Sequence, residues 1–413
     1  MASTYLSRTP ATVGNRKTWT FSAWIKRSDT ASEVGVLNTQ PNSSNYTRIR
    51  FGSNKLRVLS VINGGTGSGF DKETSRVFRD NSAFYNIVIA YNSTLATSND
   101  RVKIWVNGVL ETDFSINSFG GGQNLDSFVN ATNLHDIGAE ESASYFNGLM
   151  SHVHLIDGLA YDASAFGEID ATTGIWMPKF APSVTYGTNG FFLKFENSAS
   201  LGLDSSVNTN NFTVNGTPTQ TVDTPSNVFA TMNPLSALTI PPTFSNGNLT
   251  TAIPTSGGAF RSTLAVSTGK WYCEVKLNEM VSSMIGIQPI DTTYSTNIFN
   301  DGAGIGLYST SGTIYRNTSN LGNIASVASG DIIGMAIDLD SNNIYFSKNG
   351  QYASGIAGSW NQAFGSAYAV ATTSGNEYCI AGSNGSSGTT GNFSFNFGNG
   401  FFGTTAVVSA GTN

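Results

Sequence analysis

Few residues in this 413-residue chain could do chemistry, and their spacing limits what that chemistry could be. Glycoside hydrolysis needs two carboxylates facing each other across a cleft. A strand supplying them would read Glu-x-Asp-x-Glu, because alternate side chains share a face. Glu168-Ile169-Asp170 approaches that pattern, but it lacks the third acid and runs into the turn-forming Thr172-Thr173-Gly174. His152 and His154 are two apart in a strand pattern, so both are expected on one face, where they would bind a metal if a third ligand came close. The competing reading is a hydrogen-bonded structural pair, since nearby Asp157 is followed by a turn at Gly158. His135 is the third and last histidine, which leaves a Ser-His-Asp arrangement few centres. No nucleophile elbow lies between a strand and a helix, and the glycines at 302–306 precede no helix that could cradle a phosphate. Sugar recognition is the other chemistry to weigh. Trp105, Tyr145, Tyr308 and Tyr315 with Arg316 are candidates to stack on and hydrogen-bond a sugar ring, with sheet-face packing as the alternative for each. Trp19, Trp271 and Phe346 are assigned to cores.

The elements that must position these residues are strands. TWTFSAWIK at 18–26 alternates strictly, with Trp19, Phe21 and Ala23 on one face. YNIVIAY at 85–91, VKIWVNGVL at 102–110 and FNGLMSHVHL at 146–155 follow, and the Asn107-Gly108 pair signals a type I′ hairpin. In the second half, GKWYCEVKL at 269–277, GDIIGMAIDLD at 330–340 and IYFSKNG at 344–350 alternate in the same way. Between the halves, residues 197–234 are polar and carry prolines, which predicts an extended linker. The stretch 382–391, rich in Gly and Ser, predicts a long loop. Helical periodicity is nearly absent. The predicted fold class is all-β: two antiparallel sandwiches at 1–196 and 235–413, joined by that linker.

Charged residues are 12% of the chain, half the usual share, and the net charge is −6, so nucleic acid is not an expected partner. Arg48, Arg50, Lys55 and Arg57 are the nearest thing to a basic cluster, and alternation predicts that they line a solvated sheet face. No basic segment followed by an apolar core opens the sequence and no window matches a membrane span, so synthesis in a cytosol without membrane insertion is expected. Cys273 and Cys379 are predicted to point inward as buried free thiols.

The second-half strands resemble a SPRY domain, whose pattern has GKWYxEV, GDxIGxAxDLD and YFxKNG in this order. The strands GIGLY at 304–308 and GTIY at 312–315, with the closing NFG at 396–398, are similar to the same family, although its closing proline is missing. The first half resembles a laminin-G-like, concanavalin A-like jelly roll, with a short helical turn expected after Asp157. The segment LGLDSS at 201–206, NNF at 210–212 and DTPSNVFATMNP at 223–234 is similar to virion proteins of marine tailed bacteriophages, with Val207 and Val228 departing from the pattern.

These resemblances imply a non-catalytic virion surface protein made in the host cytoplasm. The expected role is a tail-fibre or receptor-binding component that attaches to host-surface glycans or envelope proteins. The alternatives are a capsid decoration or tail adaptor protein packed on other virion structural proteins and, with less support, a polysaccharide-degrading tail enzyme. A homo-oligomer, a trimer by analogy with fibres, is expected. No cofactor is required, although laminin-G-like modules imply calcium at the rim, where Asp126, Asn130, Asp136 and Glu140 are the candidate ligands.

Overall fold

The run TWTFSAWIKR forms the strand Thr18–Arg27, and its alternation places Trp19, Phe21, Ala23 and Ile25 in one interior, each fully buried. That interior belongs to the first of two compact units in a computed structural model of the chain, residues 1–220 with 224–228; the second unit is 221–223 with 229–413. The structure describes residues 3–30, 32–236, 240–255, 258–292, 303–308, 311–316, 319–384, 390–403 and 405–406. Among them there is no α-helix, and each unit is a sandwich of two antiparallel sheets.

In the first unit the larger sheet has the order Phe114–Phe119, Gly65–Thr74, Lys55–Ile62, Asn45–Gly52, Val34–Asn42, Leu134–Ile137, Tyr5–Arg8, Thr213–Asn215. The smaller has Phe191–Leu193, Gly148–Asp157, Thr18–Arg27, Tyr85–Asn92, Val102–Val106, Val109–Leu110. Leu37, Ile49, Phe51, Val58 and Phe70 meet Trp19, Phe21, Ile87 and Ile104 between the sheets. Trp19 stacks on Tyr91 with centroids 5.2 Å apart, a contact worth about 1 kcal/mol beyond area burial. Asn107 and Gly108, at φ +49° and +79°, make the expected tight hairpin. A side chain at Gly108 would also meet the Trp176 ring at 2.7 Å.

Trp176 belongs to the stretch after Asp157, where the expected short helical turn is the 3-10 turn Ala163–Ala165. Ala163, Phe166, Trp176, Val184 and Tyr186 pack on Val88, Ile156 and Trp105, so the smaller sheet is covered on its outer side as well.

Residues 201–215, within the span that composition predicts as an extended linker, pack on the first unit. Thr213–Asn215 pairs with Tyr5–Arg8 as an edge strand, and Phe212 packs edge-to-face on Phe191 at 4.7 Å. Asp204 explains how so polar a segment stays attached: its buried carboxylate accepts from the backbone N–H groups of Phe192 (2.8 Å), Ser206 (2.8 Å) and Asn210 (2.7 Å) and from the Ser206 hydroxyl (2.8 Å). Further on, Met232 is fully buried in the core of the second unit and bridges Ser262.

In the second unit Lys270–Met280 pairs with Ile332–Asp338, bringing Cys273 opposite Met335 and Val275 opposite Ile333. Asn343–Lys348 follows in the same sheet, turning at Asn349 and Gly350 (φ +50° and +83°) into Gln351–Ala353. The facing sheet runs Ala259–Val266, Tyr378–Asn384, Ser283–Pro289, Ile305–Tyr308, Thr313–Arg316, Ser319–Asn323. Phe346 is buried as expected, but Trp271 is 51% exposed. It lies near the start of its strand, before the buried run Cys273, Val275, Leu277, and its indole N–H donates to the Thr268 carbonyl at 2.7 Å. Both cysteines are buried free thiols. Cys273 points into the core, whereas Cys379 lies on the opposite face of its strand from the core residues Tyr378 and Ile380. Burial pushes its thiol up to about 11. Of the predicted loop, residues 385–389 lie outside the described residues, as does Gly302.

All three histidines sit in the first unit. His152 (φ +48°) occupies a bulge where two residues of its strand oppose Ala23 alone. Its ring and that of His154 both meet Phe192, at centroid distances of 5.9 and 3.9 Å, so they share a face as expected. Their Nδ1 atoms bond Ser151 and Tyr186 respectively. Burial lowers both pKa values, that of His154 strongly, and lowers His135 to about 4.

Two predictions follow from this packing. Asp204→Ala leaves three backbone N–H groups without an acceptor and should lower stability to urea by about 3 kcal/mol; if 197–216 were an unattached connector, the urea midpoint would not move. The folded state holds the histidines neutral while the unfolded chain takes up protons below pH 6.5, so their contribution is complete above that pH and is lost as pH falls towards about 4 for His135. In His135→Gln the slope of unfolding free energy between pH 6.5 and 4.5 should therefore flatten by about 1.4 kcal/mol per pH unit, as read from urea titrations along the pH series.

Candidate functional site

Cross-strand register builds the outer face of the first unit's larger sheet. Ser7, Asp136, Asn38, Arg48, Leu59 and Asp71 are successive partners across six strands, and Arg50, Arg57 and Glu73 form the neighbouring row. The basic residues lie on this face as alternation predicts, and each meets acids. Arg57 is bidentate on Asp71 (2.8 and 2.5 Å), Lys55 lies 3.3 Å from Glu73, and Arg50 lies 3.4 Å from Glu33 and 3.8 Å from Glu140. The cluster is neutralised within the sheet and offers no stripe of free cations to a phosphate backbone.

Arg48 is the centre of the face. Its guanidinium lies over the Tyr46 ring at 3.8 Å and donates to Asn38 Oδ1 (2.9 Å), Gln40 Oε1 (2.6 Å), Glu140 Oε2 (3.1 Å) and the Glu141 carboxylate. With its oxygen held by Arg48, the Asn38 amide turns its nitrogen to Asp136 Oδ2 at 3.5 Å. Asp136 is fully buried, and its Oδ1 has no partner. Burial pushes this carboxyl up to about 6, opposed by the Asn38 bond and reinforced by the charge of Glu141. Burial also raises the pKa of Glu140, against the pull of Arg48 and Arg50. Beside Asp136 opens a pocket of about 270 Å³ whose walls include Asn38, Gln40, Asn42, Leu134 and Glu141.

The four residues proposed as calcium ligands are divided among different partners. Asp126 lies 3.9 Å from Arg16; the Asn130 amide donates to the Asn15 carbonyl (2.9 Å) and Asp157 (3.1 Å); Glu140 belongs to Arg48 and Arg50; Asp136 faces the pocket. Among the described residues no group of three or more His, Cys, Asp or Glu side chains could hold a metal ion.

The aromatic candidates are also separated. Trp105 lies half-buried under the stretch that carries Trp176, in its packing alternative. Tyr145 is near the pocket: its hydroxyl donates to the carbonyl of the pocket residue Ser142, and its ring lies 6.0 Å from that of Tyr5. In the second unit Tyr308 and Tyr315 meet edge-to-face at 6.3 Å around Met284, Ala259 and Ala381. Arg316 alternates to the other face of that strand and donates to the Ala371 carbonyl at 3.2 Å. Of the candidate carboxylates, Glu168 sits in a two-stranded ribbon, and Asp170 caps the turn at Thr172 and Thr173.

Asn38, Gln40, Asn42, Leu134 and Glu141 were not singled out by sequence. Alternation within 34–42 already put Asn38 and Gln40 on one face, but their register against Asp136 and Arg48, far apart in the chain, carries no local signal.

Comparison with known proteins agrees with this architecture. Residues 2–162 match the concanavalin A-like lectin/glucanases superfamily, and residues 270–385 match the SPRY domain. No curated protein matches the chain. Among solved structures it is similar to the SPRY domain of human HERC1 (16% identity, covering 40% of this chain and 96% of that one, TM-score 0.33). It is similar also to the TRIM65 PSpry domain (17%, 41% and 92%, 0.31) and to domains LG4-5 of the mouse laminin alpha1 chain (8%, 91% and 78%, 0.31). The chain carries a concanavalin A-like domain of the laminin-G type followed by a SPRY domain.

Proposed function

We propose that this chain is a non-catalytic attachment protein on the surface of a tailed-phage particle, engaging host-cell glycans or envelope proteins through its two domains. The observation that carries the reading is the pairing of two binding-type domains in one chain. Asp170, spent on capping a turn, supports a non-catalytic role. So does the ion-paired state of most acids on the open sheet face. The particle surface is inferred from the wording of residues 201–234, which resembles virion proteins. Several copies on a symmetric mount, a trimer in the fibre-type arrangement, would turn weak single contacts into firm attachment. No helix of the described residues is long and apolar enough to cross a membrane.

Gold-conjugated antibody against this chain, imaged on phage particles by electron microscopy, is expected at the tail tip. Purified protein should then bind host cells and be displaced by host polysaccharide. Gold spread over the head would replace this reading with a decoration role, and release of reducing ends from the polysaccharide would make the chain a hydrolase.

A further inference from the structure

The pocket beside Asp136 has the chemistry of a binding site rather than of a packing defect. A fully buried carboxylate with one oxygen unpartnered is costly in a fold, and here that carboxylate forms part of a pocket wall. The surrounding groups are prepared for a ligand. Gln40 has its amide oxygen held by Arg48, and Asn42 has its own engaged by the Ser44 N–H (3.1 Å) and the Asn45 amide (3.0 Å). In both, the NH₂ group is left as the free donor end. Asp136 and Glu141 supply acceptors, and Leu134, 42% exposed, supplies an apolar wall.

We propose that this pocket on the outer face of the larger sheet binds a neutral polyhydroxylated ligand, a single pyranose unit of a glycan, with Asp136 accepting from a sugar hydroxyl and the Gln40 and Asn42 amides donating to its neighbours. Each hydroxyl of such a ring both donates and accepts, which matches a wall of alternating amide donors and carboxylate acceptors. A cation fits less well, because the amide oxygens of the lining residues Gln40 and Asn42 are already engaged and the Arg48 guanidinium bonds Asn38 and Gln40 in the pocket wall; a calcium ion would need six or more oxygens. The volume of about 270 Å³ falls just below that of drug-sized sites, so one ring enters and the rest of a chain lies outside. This inference rests on the attachment reading and assigns it a residue-level site.

The test is a titration of the full chain with methyl pyranosides (glucoside, galactoside, mannoside and N-acetylglucosaminide), read by saturation-transfer NMR, beside a host-cell binding assay. Asp136→Asn preserves shape and removes the acceptor charge; Gln40→Ala removes a donor from a half-buried side chain. Both are expected to fold, by circular dichroism, and to weaken the preferred pyranoside at least tenfold. Unchanged pyranoside binding in both variants would overturn the site and leave the attachment reading intact. Cell binding without any pyranoside binding would overturn the ligand class alone. Asp136-dependent binding of methylammonium or calcium in place of sugar would assign the pocket to a cation. Failure of the wild-type chain to bind either sugars or cells would overturn both readings.

Discussion

Two buried carboxylates, Asp157 and Asp204, hold together the strand ends on which the rest of the first unit depends. Asp157 accepts from the Asn15 N–H (2.6 Å), the Asn130 amide (3.1 Å) and the Asn189 N–H (2.9 Å). Asp204 gathers the N–H groups of Phe192, Ser206 and Asn210. A sandwich made of short strands and long loops has many backbone donors that no ladder satisfies, and a carboxylate accepts several at once with charge-assisted strength. Asn208 and Asn210 extend the arrangement by donating to the carbonyls of Gly187, Thr188 and Gly190. The Asp, Ser and Asn wording of residues 204–211 is therefore a lock that joins distant segments, with Phe212 as its apolar anchor.

With those ends fixed, the two outer faces of the sandwich take different fates. The smaller sheet is packed on both sides, because the stretch after Asp157 brings Phe166, Trp176 and Tyr186 over Val88 and Trp105. The larger sheet keeps its outer side for charge and amides. There Arg48 does for side chains what Asp204 does for the backbone: one multidentate group fixes Asn38, Gln40, Glu140 and Glu141 in place. Exposed ion pairs add little stability singly, but this partly buried network orients amides that would otherwise rotate. Asp136, which it reaches only indirectly through Asn38, keeps one oxygen unsatisfied, as does Glu140.

Much of this was legible in sequence. The period-two runs marked the core strands, Asn107-Gly108 and Asn349-Gly350 marked their turns, and the SPRY-like strands pair as their order implied. The misreadings have specific causes. Composition cannot distinguish a polar linker from a polar lock, since both are rich in Asn and Ser. Alternation places Trp271 in the core, yet it precedes the buried run of its strand. Tyr315 and Arg316 are adjacent in sequence and therefore on opposite faces, which separates them as a binding pair.

The sequence by itself determined which residues face inward and where chains turn, because those properties depend on neighbours two to four positions away. Only the tertiary structure decided which polar residues share a site. Asn38, Arg48, Asp136 and Glu141 come from three strands and a loop, and their meeting depends on cross-strand register, which is fixed by the packing of the opposite, apolar face.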